Sequence, residues 1–149
     1  MANVFNQDFI EFIISLNKNK VEYILVGGYA VIYHGYNRTT GDMDIWVHAT
    51  SDNYNRLLAA FNDFGMSVFD MSETKFLDTE NFDVFSFGRA PVCIELLTKV
   101  KGLTFIEAYS SSSFVEFGGT HVQMIDIRDL IHAKKAAGRN KDLDDLEHL

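Results

Sequence analysis

The stretch LVGGYAVIYHGYNRTTGDMDIWV, residues 25–47, combines an apolar run, a double glycine, an arginine and two aspartates one residue apart. VEYILV (21–26) is rich in strand-forming residues and stops at Gly27-Gly28, so it predicts a strand. YAVIYHG (29–35) predicts a short helix that Gly35 ends. MDIWVH (43–48) alternates polar and apolar residues, which indicates a second strand. The stretch therefore predicts a strand, a glycine turn, a helix and a second strand.

The rest of the chain extends this unit with further helices and strands. Apolar side chains at helical spacing predict a first helix over 7–17, and cap-competent Ser51 and Asp52 with Gly65 predict another over 51–65. Further strands are predicted at 82–88, 91–98 and 121–127, and further helices at 127–138 and 141–149, whereas SSSS (110–113) indicates a loop or a helix end. We expect one small α+β (or α/β) domain, a sheet flanked by helices, in the 149 residues.

Composition limits the class of partner. The net charge of -8 argues against binding of extended nucleic acid by bulk electrostatics, although it does not exclude a nucleotide that carries cations. Cys93 is the single cysteine, and neither it nor the five histidines have zinc-site spacing. The chain has no signal-peptide pattern and no apolar run of membrane-spanning length, so we expect a soluble, cytoplasmic protein without a membrane partner.

Three acids are candidate metal ligands. Asp42 and Asp44 are two residues apart where a strand begins, so both carboxylates point to one face, about 7 Å apart at the backbone. Hard divalent cations favour such oxygen ligands. Glu95 lies within the apolar run VCIELL, where a buried carboxylate is costly unless it is paired or binds a metal. The alternatives are a solvated turn for the aspartates and an exposed strand face for Glu95.

A second group of residues suits an anion. Gly27 and Gly28 let the backbone approach a phosphate closely, and Arg38 and Lys134 are candidate phosphate contacts. Thr39 and Thr40 could orient a ligand oxygen or cap the turn. The alternatives are an ordinary turn and solvated surface charges. The solvated alternative is preferred for a further set of basic residues: Lys135, Arg139 and Lys141.

Taken together, these motifs resemble the nucleotidyltransferase superfamily related to DNA polymerase beta. HGYNRTTGDMDI is similar to its Arg-x-Thr-x-Asp-x-Asp segment, IELLTKVKGL to its third-acid strand, and DLIHAKKAAGRNKDLDDLEHL to its C-terminal helices. Within the superfamily the chain looks like small stand-alone enzymes, including those that modify lincosamides and those of toxin–antitoxin or abortive-infection systems. It departs at Gly28, where serine is common, and at Glu95, where aspartate is common.

The resemblance implies a mixed sheet in one nucleotidyltransferase domain over 1–149, with a core at about 20–126 and C-terminal helices at about 127–149. It implies Mg²⁺ or Mn²⁺ held by three acids and a nucleoside triphosphate held by five other residues. The implied metal ligands are Asp42, Asp44 and Glu95, and the implied nucleotide contacts are Gly27, Gly28, Arg38, Thr40 and Lys134. An acceptor hydroxyl would attack the α-phosphate and release pyrophosphate, and Glu95 could take the hydroxyl proton.

The resemblance does not specify the acceptor: a drug, a protein and a tRNA end all stay open. Because the chain is short, a homodimer or another partner subunit is expected to complete the cleft. Two other functions compete with the enzyme. One is a non-catalytic nucleotide-binding or antitoxin-type partner on the same fold, and the other is a structural interaction domain in which the aspartates are a solvated edge.

Overall fold

The computed structural model describes residues 7–68, 70–89 and 92–149, apart from the side chains of residues 89 and 92. Seven helices and six strands lie within these ranges. The helices are α1 (Gln7–Lys18), α2 (Gly27–Tyr33), α3 (Ser51–Phe64), α4 (Glu73–Leu77), α5 (Phe105–Ser111), α6 (Ile127–Ala137) and α7 (Asn140–His148). The strands are β1 (Tyr23–Val26), β2 (Asp42–Val47), β3 (Val84–Arg89), β4 (Val92–Leu97), β5 (Ser113–Phe117) and β6 (Thr120–Met124).

The strands form one six-stranded sheet in the order β3-β4-β2-β1-β6-β5. Its strands run in mixed directions: β2 pairs parallel with β4, and β1 pairs parallel with β6, whereas β1 and β2 pair antiparallel. This confirms the expected α+β fold with a mixed sheet flanked by helices. The register of the parallel β2–β4 pair sets Asp44 opposite Glu95, and it therefore brings two of the three candidate acids together.

The central strands are the most apolar because helices cover them. All four residues of β1 are buried, which is typical of a strand packed on both faces. β2 begins exposed at Asp42 and is buried over its last three residues. Helices α1 and α3 pack together through Phe12, whose ring meets Phe61 and Phe64 edge-on with centroids 5.3 and 5.2 Å apart. The exposed, polar start of β2 therefore lies at the edge of the buried core.

Helix ends follow the predicted signals with one shift. The hydroxyl of Thr50, rather than Ser51 or Asp52, accepts a hydrogen bond from the Asn53 backbone N–H and caps α3. Gly65 (φ 86°) ends α3 and Gly138 (φ 63°) ends α6, both in the left-handed conformation that glycine adopts readily. These two helices agree with the expected ranges to within a residue.

Three elements were not predicted, namely α4, α5 and β5. The serine run at 110–113, expected to be a loop or a helix end, finishes α5 and begins β5. The strand expected at 121–127 stops at Met124, because Asp126 caps α6. Pro91, expected at the entry of β4, lies outside the described residues. In the described ranges, no helix is long and apolar enough to cross a membrane.

A buried amide joins α3 to the central strands. Asn53 is fully buried, and its side-chain oxygen accepts from the Glu22 backbone N–H at 2.8 Å. Its side-chain nitrogen donates to the carbonyl oxygens of Glu22 at 3.0 Å and His48 at 2.8 Å. Glu22 precedes β1 and His48 follows β2, so this one amide ties both strand ends to α3.

We predict that Asn53→Ala lowers the free energy of unfolding by at least about 2 kcal/mol, because each buried polar group left without a partner costs about 1–3 kcal/mol. Urea unfolding followed by circular dichroism measures the loss. Asn62→Ala, an exposed change on the same helix, is the matched control and should cost far less. Equal losses for the two variants would contradict this role of Asn53.

Candidate active site

The three candidate acids lie on β2 and β4. Asp44 is opposite Glu95 in the parallel register, and their side chains are hydrogen-bonded to each other. Asp42, two residues earlier on β2, is exposed, and the Cys93 thiol opposite it is hydrogen-bonded to its carboxylate. The fold therefore places all three acids at one end of the β2–β4 pair, with Asp44 and Glu95 in direct contact.

The contact changes the protonation of Asp44. Burial, followed by the charges of Glu95 and Asp42, raises the pKa of Asp44 to about 7, and the positive charge of Lys141 partly opposes this shift. Where neighbouring carboxylates repel one another in this way, a cation would relieve the repulsion. We therefore regard Asp44 and Glu95 as the electrostatic centre of the site.

The carboxylates of Asp42, Asp44 and Glu95 are suitable ligands for a hard divalent cation, but the three do not converge on one point. Throughout the described ranges, no three His, Cys, Asp or Glu side chains converge in metal-binding geometry. Asp44 and Glu95 supply adjacent carboxylate oxygens of the kind that Mg²⁺ and Mn²⁺ prefer. The Asp42 carboxylate, two residues earlier on β2, interacts with the Cys93 thiol.

The double glycine is required by the side chains that lie over it. Gly27 has φ 69°, and a Cβ there would overlap the Asp44 carboxylate. A Cβ on Gly28 would overlap the Thr40 side chain and lie 3.4 Å from Nη1 of Arg38. A serine at position 28, as the superfamily often has, would therefore displace Thr40. The glycines thus let Asp44 and Thr40 contact the backbone directly.

Two cavities meet at Asp44. The polar cavity has a volume of about 250 Å³ and opens in front of the glycines. The second cavity, of about 180 Å³, is lined by aliphatic and charged side chains in nearly equal number. The residues that line both cavities are Gly27, Asp44, Lys134 and Arg139. The remaining residues of the polar cavity are Gly28, Arg38, Thr39, Thr40, Gly41, Asp42 and Lys141. Every residue predicted from the sequence as a nucleotide contact therefore lines the polar cavity.

The predicted phosphate contacts are already paired with acids of α7. Arg38 donates from Nε and Nη2 to the two carboxylate oxygens of Asp145, at 2.8 and 3.0 Å. The Lys134 ammonium lies 3.1 Å from both Asp142 and Asp145. Lys134 is consequently a buried, doubly paired lysine, whereas its neighbour Lys135 is exposed. Both α7 carboxylates are almost completely buried.

Four residues of the site were missed from the sequence. Arg139 and Lys141, interpreted there as solvated, line the polar cavity, and Asp142 and Asp145 hold its cations. Burial raises the pKa of Asp142, but hydrogen bonds from Arg139 and Lys134 outweigh it and leave that pKa below its usual value. The i, i+3 spacing of the two aspartates on one helix face was the available signal.

The comparisons agree with the fold. A family model described as nucleotidyltransferase of unknown function (DUF6036) matches residues 6–149, so the chain belongs to this nucleotidyltransferase family. The crystal structure of a Thermotoga maritima protein assigned as a nucleotidyltransferase has the same fold, with a TM-score of 0.59 at 13% identity, over 92% of this chain and 86% of that one. Among curated proteins, none matches the sequence.

We predict that Asp44→Asn stabilises the protein more at pH 8 than at pH 5. The folded-state pKa of Asp44 is raised, so the native protein holds this proton up to about pH 7, whereas the unfolded chain releases it near pH 4. Wild-type stability contributed by this group is therefore lost as pH rises from about 4 to 7. Thermal unfolding at several pH values measures this, with exposed Asp83→Asn as the control. Parallel curves for wild type and Asp44→Asn would contradict the shift.

Proposed function

We propose that this member of the nucleotidyltransferase family is a metal-dependent enzyme that transfers a nucleoside monophosphate from a nucleoside triphosphate to an acceptor hydroxyl. The observation that carries the proposal is the contact of Glu95 with Asp44, which lies at the boundary between the polar cavity and the second cavity. A phosphate-binding wall on one side of an acid pair is the arrangement that phosphoryl transfer needs, since that reaction depends on positioning and charge stabilisation.

The polar cavity is the proposed triphosphate site. Gly27 and Gly28 line this cavity, with the Asp44 and Thr40 side chains against their backbone. The basic residues that supply positive charge to it are Arg38, Lys134, Arg139 and Lys141. Two of the three ammonium hydrogens of Lys134 satisfy Asp142 and Asp145, which leaves one for a ligand. The Arg38 guanidinium keeps donors beyond the three hydrogen bonds that it makes to Asp145 and the Thr39 carbonyl.

Asp42, Asp44 and Glu95 are the residues that would hold Mg²⁺ or Mn²⁺. A divalent cation supplies Lewis-acid stabilisation of phosphoryl oxygens. In the transfer step the acceptor oxygen bonds to the α-phosphorus, the bond from that phosphorus to the oxygen of the leaving pyrophosphate breaks, and Glu95 accepts the hydroxyl proton. Glu95 lines neither cavity, but it lies beside Asp44, which lines both.

The second cavity is the proposed route of the acceptor. Aliphatic side chains of β1, β4 and α6 line it, including Val26, Leu97 and Leu130, and Asp44 lies at the shared boundary. Because charged side chains such as Lys99 and Lys101 also line it, a compact hydroxyl-bearing group with one apolar and one polar face would fit. Its volume of about 180 Å³ is below the usual range for a drug-sized ligand, about 300–1,000 Å³, which supports completion of the cleft by a second copy or another subunit.

One observation favours a second candidate, a nucleotide-binding partner without turnover. Arg38 and Lys134 are already neutralised by α7, and the three acids are not gathered as a metal site in the described part of the chain. Such a protein would bind a triphosphate with Mg²⁺ and release no pyrophosphate. The lincosamide-modifying, toxin–antitoxin and abortive-infection assignments are finer versions of these two proposals, and they stay predictions.

The test incubates the protein with each of the four nucleoside triphosphates and Mg²⁺ or Mn²⁺, and it follows pyrophosphate release and label transfer to candidate acceptors. We expect Glu95→Gln to retain the fold and to lower turnover about 10²–10⁴-fold, the scale of a lost general base. Glu116→Gln, an exposed change on β5, is the matched control. Full turnover in Glu95→Gln would remove Glu95 from the mechanism, and binding without any turnover in the wild type would favour the second candidate.

A further inference from the structure

Two buried carboxylates stand behind the cations of the polar cavity. Asp142 and Asp145 are 0% and 1% exposed, and together they bind Arg38, Lys134 and Arg139 at 2.7–3.1 Å. The three cations line the polar cavity, but neither carboxylate does; Asp142 faces the second cavity instead. The cations therefore face the polar cavity, whereas the acids that hold them lie outside its lining.

The position of Asp142 and Asp145 relative to the cavity distinguishes two interpretations of their ion pairs. An acid that mimicked a bound phosphate would occupy the space of the ligand, and it would have to leave before a nucleotide entered. Acids behind the cations leave that space open and restrict the cations to one geometry. Three cations held by two carboxylates also keep one net positive charge at the cavity wall. The observed placement therefore supports orientation of the cations and not blockage.

Further contacts join α7 to the loop before β2, next to the Arg38–Asp145 ion pair. The Tyr36 hydroxyl donates to Asp144 at 2.8 Å, and its ring stacks on His148 with centroids 3.8 Å apart. Arg38, two residues further along the loop, is bound through two parallel hydrogen bonds to Asp145, a geometry that fixes the guanidinium plane as well as its position. Helix α7 is thus attached to the loop at two successive points.

We propose that Asp142 and Asp145 are positioning residues of the nucleotide site, through which α7 orients Arg38 and Lys134 toward the triphosphate. The inference rests on the proposed function, because it assigns a role in binding a nucleotide. It gives α7 a part in ligand recognition that is exerted through these basic side chains. Asp145 acts mainly through Arg38, whereas Asp142 acts through Lys134 and Arg139.

The test is a double-mutant cycle on the affinity for ATP in the presence of Mg²⁺, measured by calorimetry for wild type, Asp145→Asn, Arg38→Ala and the double variant. We expect Asp145→Asn to weaken binding about tenfold, the scale for losing a group that orients a ligand-binding side chain. In the Arg38→Ala background the same change should have little further effect, because the group that it orients is gone. Glu147→Gln, an exposed change on α7, is the matched control.

Each outcome has a distinct meaning. Tighter binding by Asp145→Asn would show that the acid blocks the site, and unchanged or additive losses would show that it does not act through Arg38; each overturns this inference while the proposed function stands. A wild-type protein that binds none of the four triphosphates overturns both. The cycle therefore separates failure of the inference from failure of the proposed function.

Because removal of one partner from a buried ion pair can destabilise a protein by about 3–5 kcal/mol, Asp145→Asn requires a companion measurement that does not depend on its folding. In the wild-type protein, the exchange of the Arg38 Nε–H with water is followed by NMR before and after addition of ATP and Mg²⁺. We expect this hydrogen, donated to Asp145 at 2.8 Å, to stay protected in both states. Faster exchange with the nucleotide bound would overturn the inference.

Discussion

The parallel pairing of β2 with β4 is the constraint on which the rest of the site depends. Its register sets Asp44 against Glu95, and burial together with the neighbouring charges raises the pKa of Asp44 to about 7. Two carboxylates in contact on half-buried strands oppose folding unless a proton or a cation lies between them. The apolar remainder of both strands, anchored in the core, offsets that cost. Stability of the sheet is therefore what holds the two carboxylates together.

The residues around Asp44 and Glu95 are also determined by close packing. Gly27 has no side chain because Asp44 occupies the space of its Cβ, and Gly28 has none because Thr40 does. The cations across the polar cavity are held in turn by Asp142 and Asp145, so the last helix completes a site begun by the first strand. Contacts among these acids, glycines and basic residues thus link the turn after β1 to helix α7.

The sequence predicts the parts of this unit that depend on local spacing. The glycine turn, the Asp42 and Asp44 strand and the two strongly capped helices follow from periodicity and end signals. The short elements α4, α5 and β5 do not, because five to seven weakly patterned residues are stabilised by packing and not by propensity. The Arg38–Asp145 pair joins residues 107 positions apart, so no local pattern indicates it. For the same reason, Lys134 was expected as a ligand contact and not as a buried ion-pair partner.

The proposed function requires that Asp42, Asp44 and Glu95 hold a divalent cation together with a nucleotide. Asp42 offers the most direct test, since its exposed carboxylate can be changed with little effect on the core. The measurement is calorimetric titration of ATP into wild type and Asp42→Asn, with Mn²⁺ and with a chelator. We expect the wild type to bind ATP only when Mn²⁺ is present, and we expect this binding to be lost in Asp42→Asn. Equal affinity with and without Mn²⁺, or in both proteins, would contradict it.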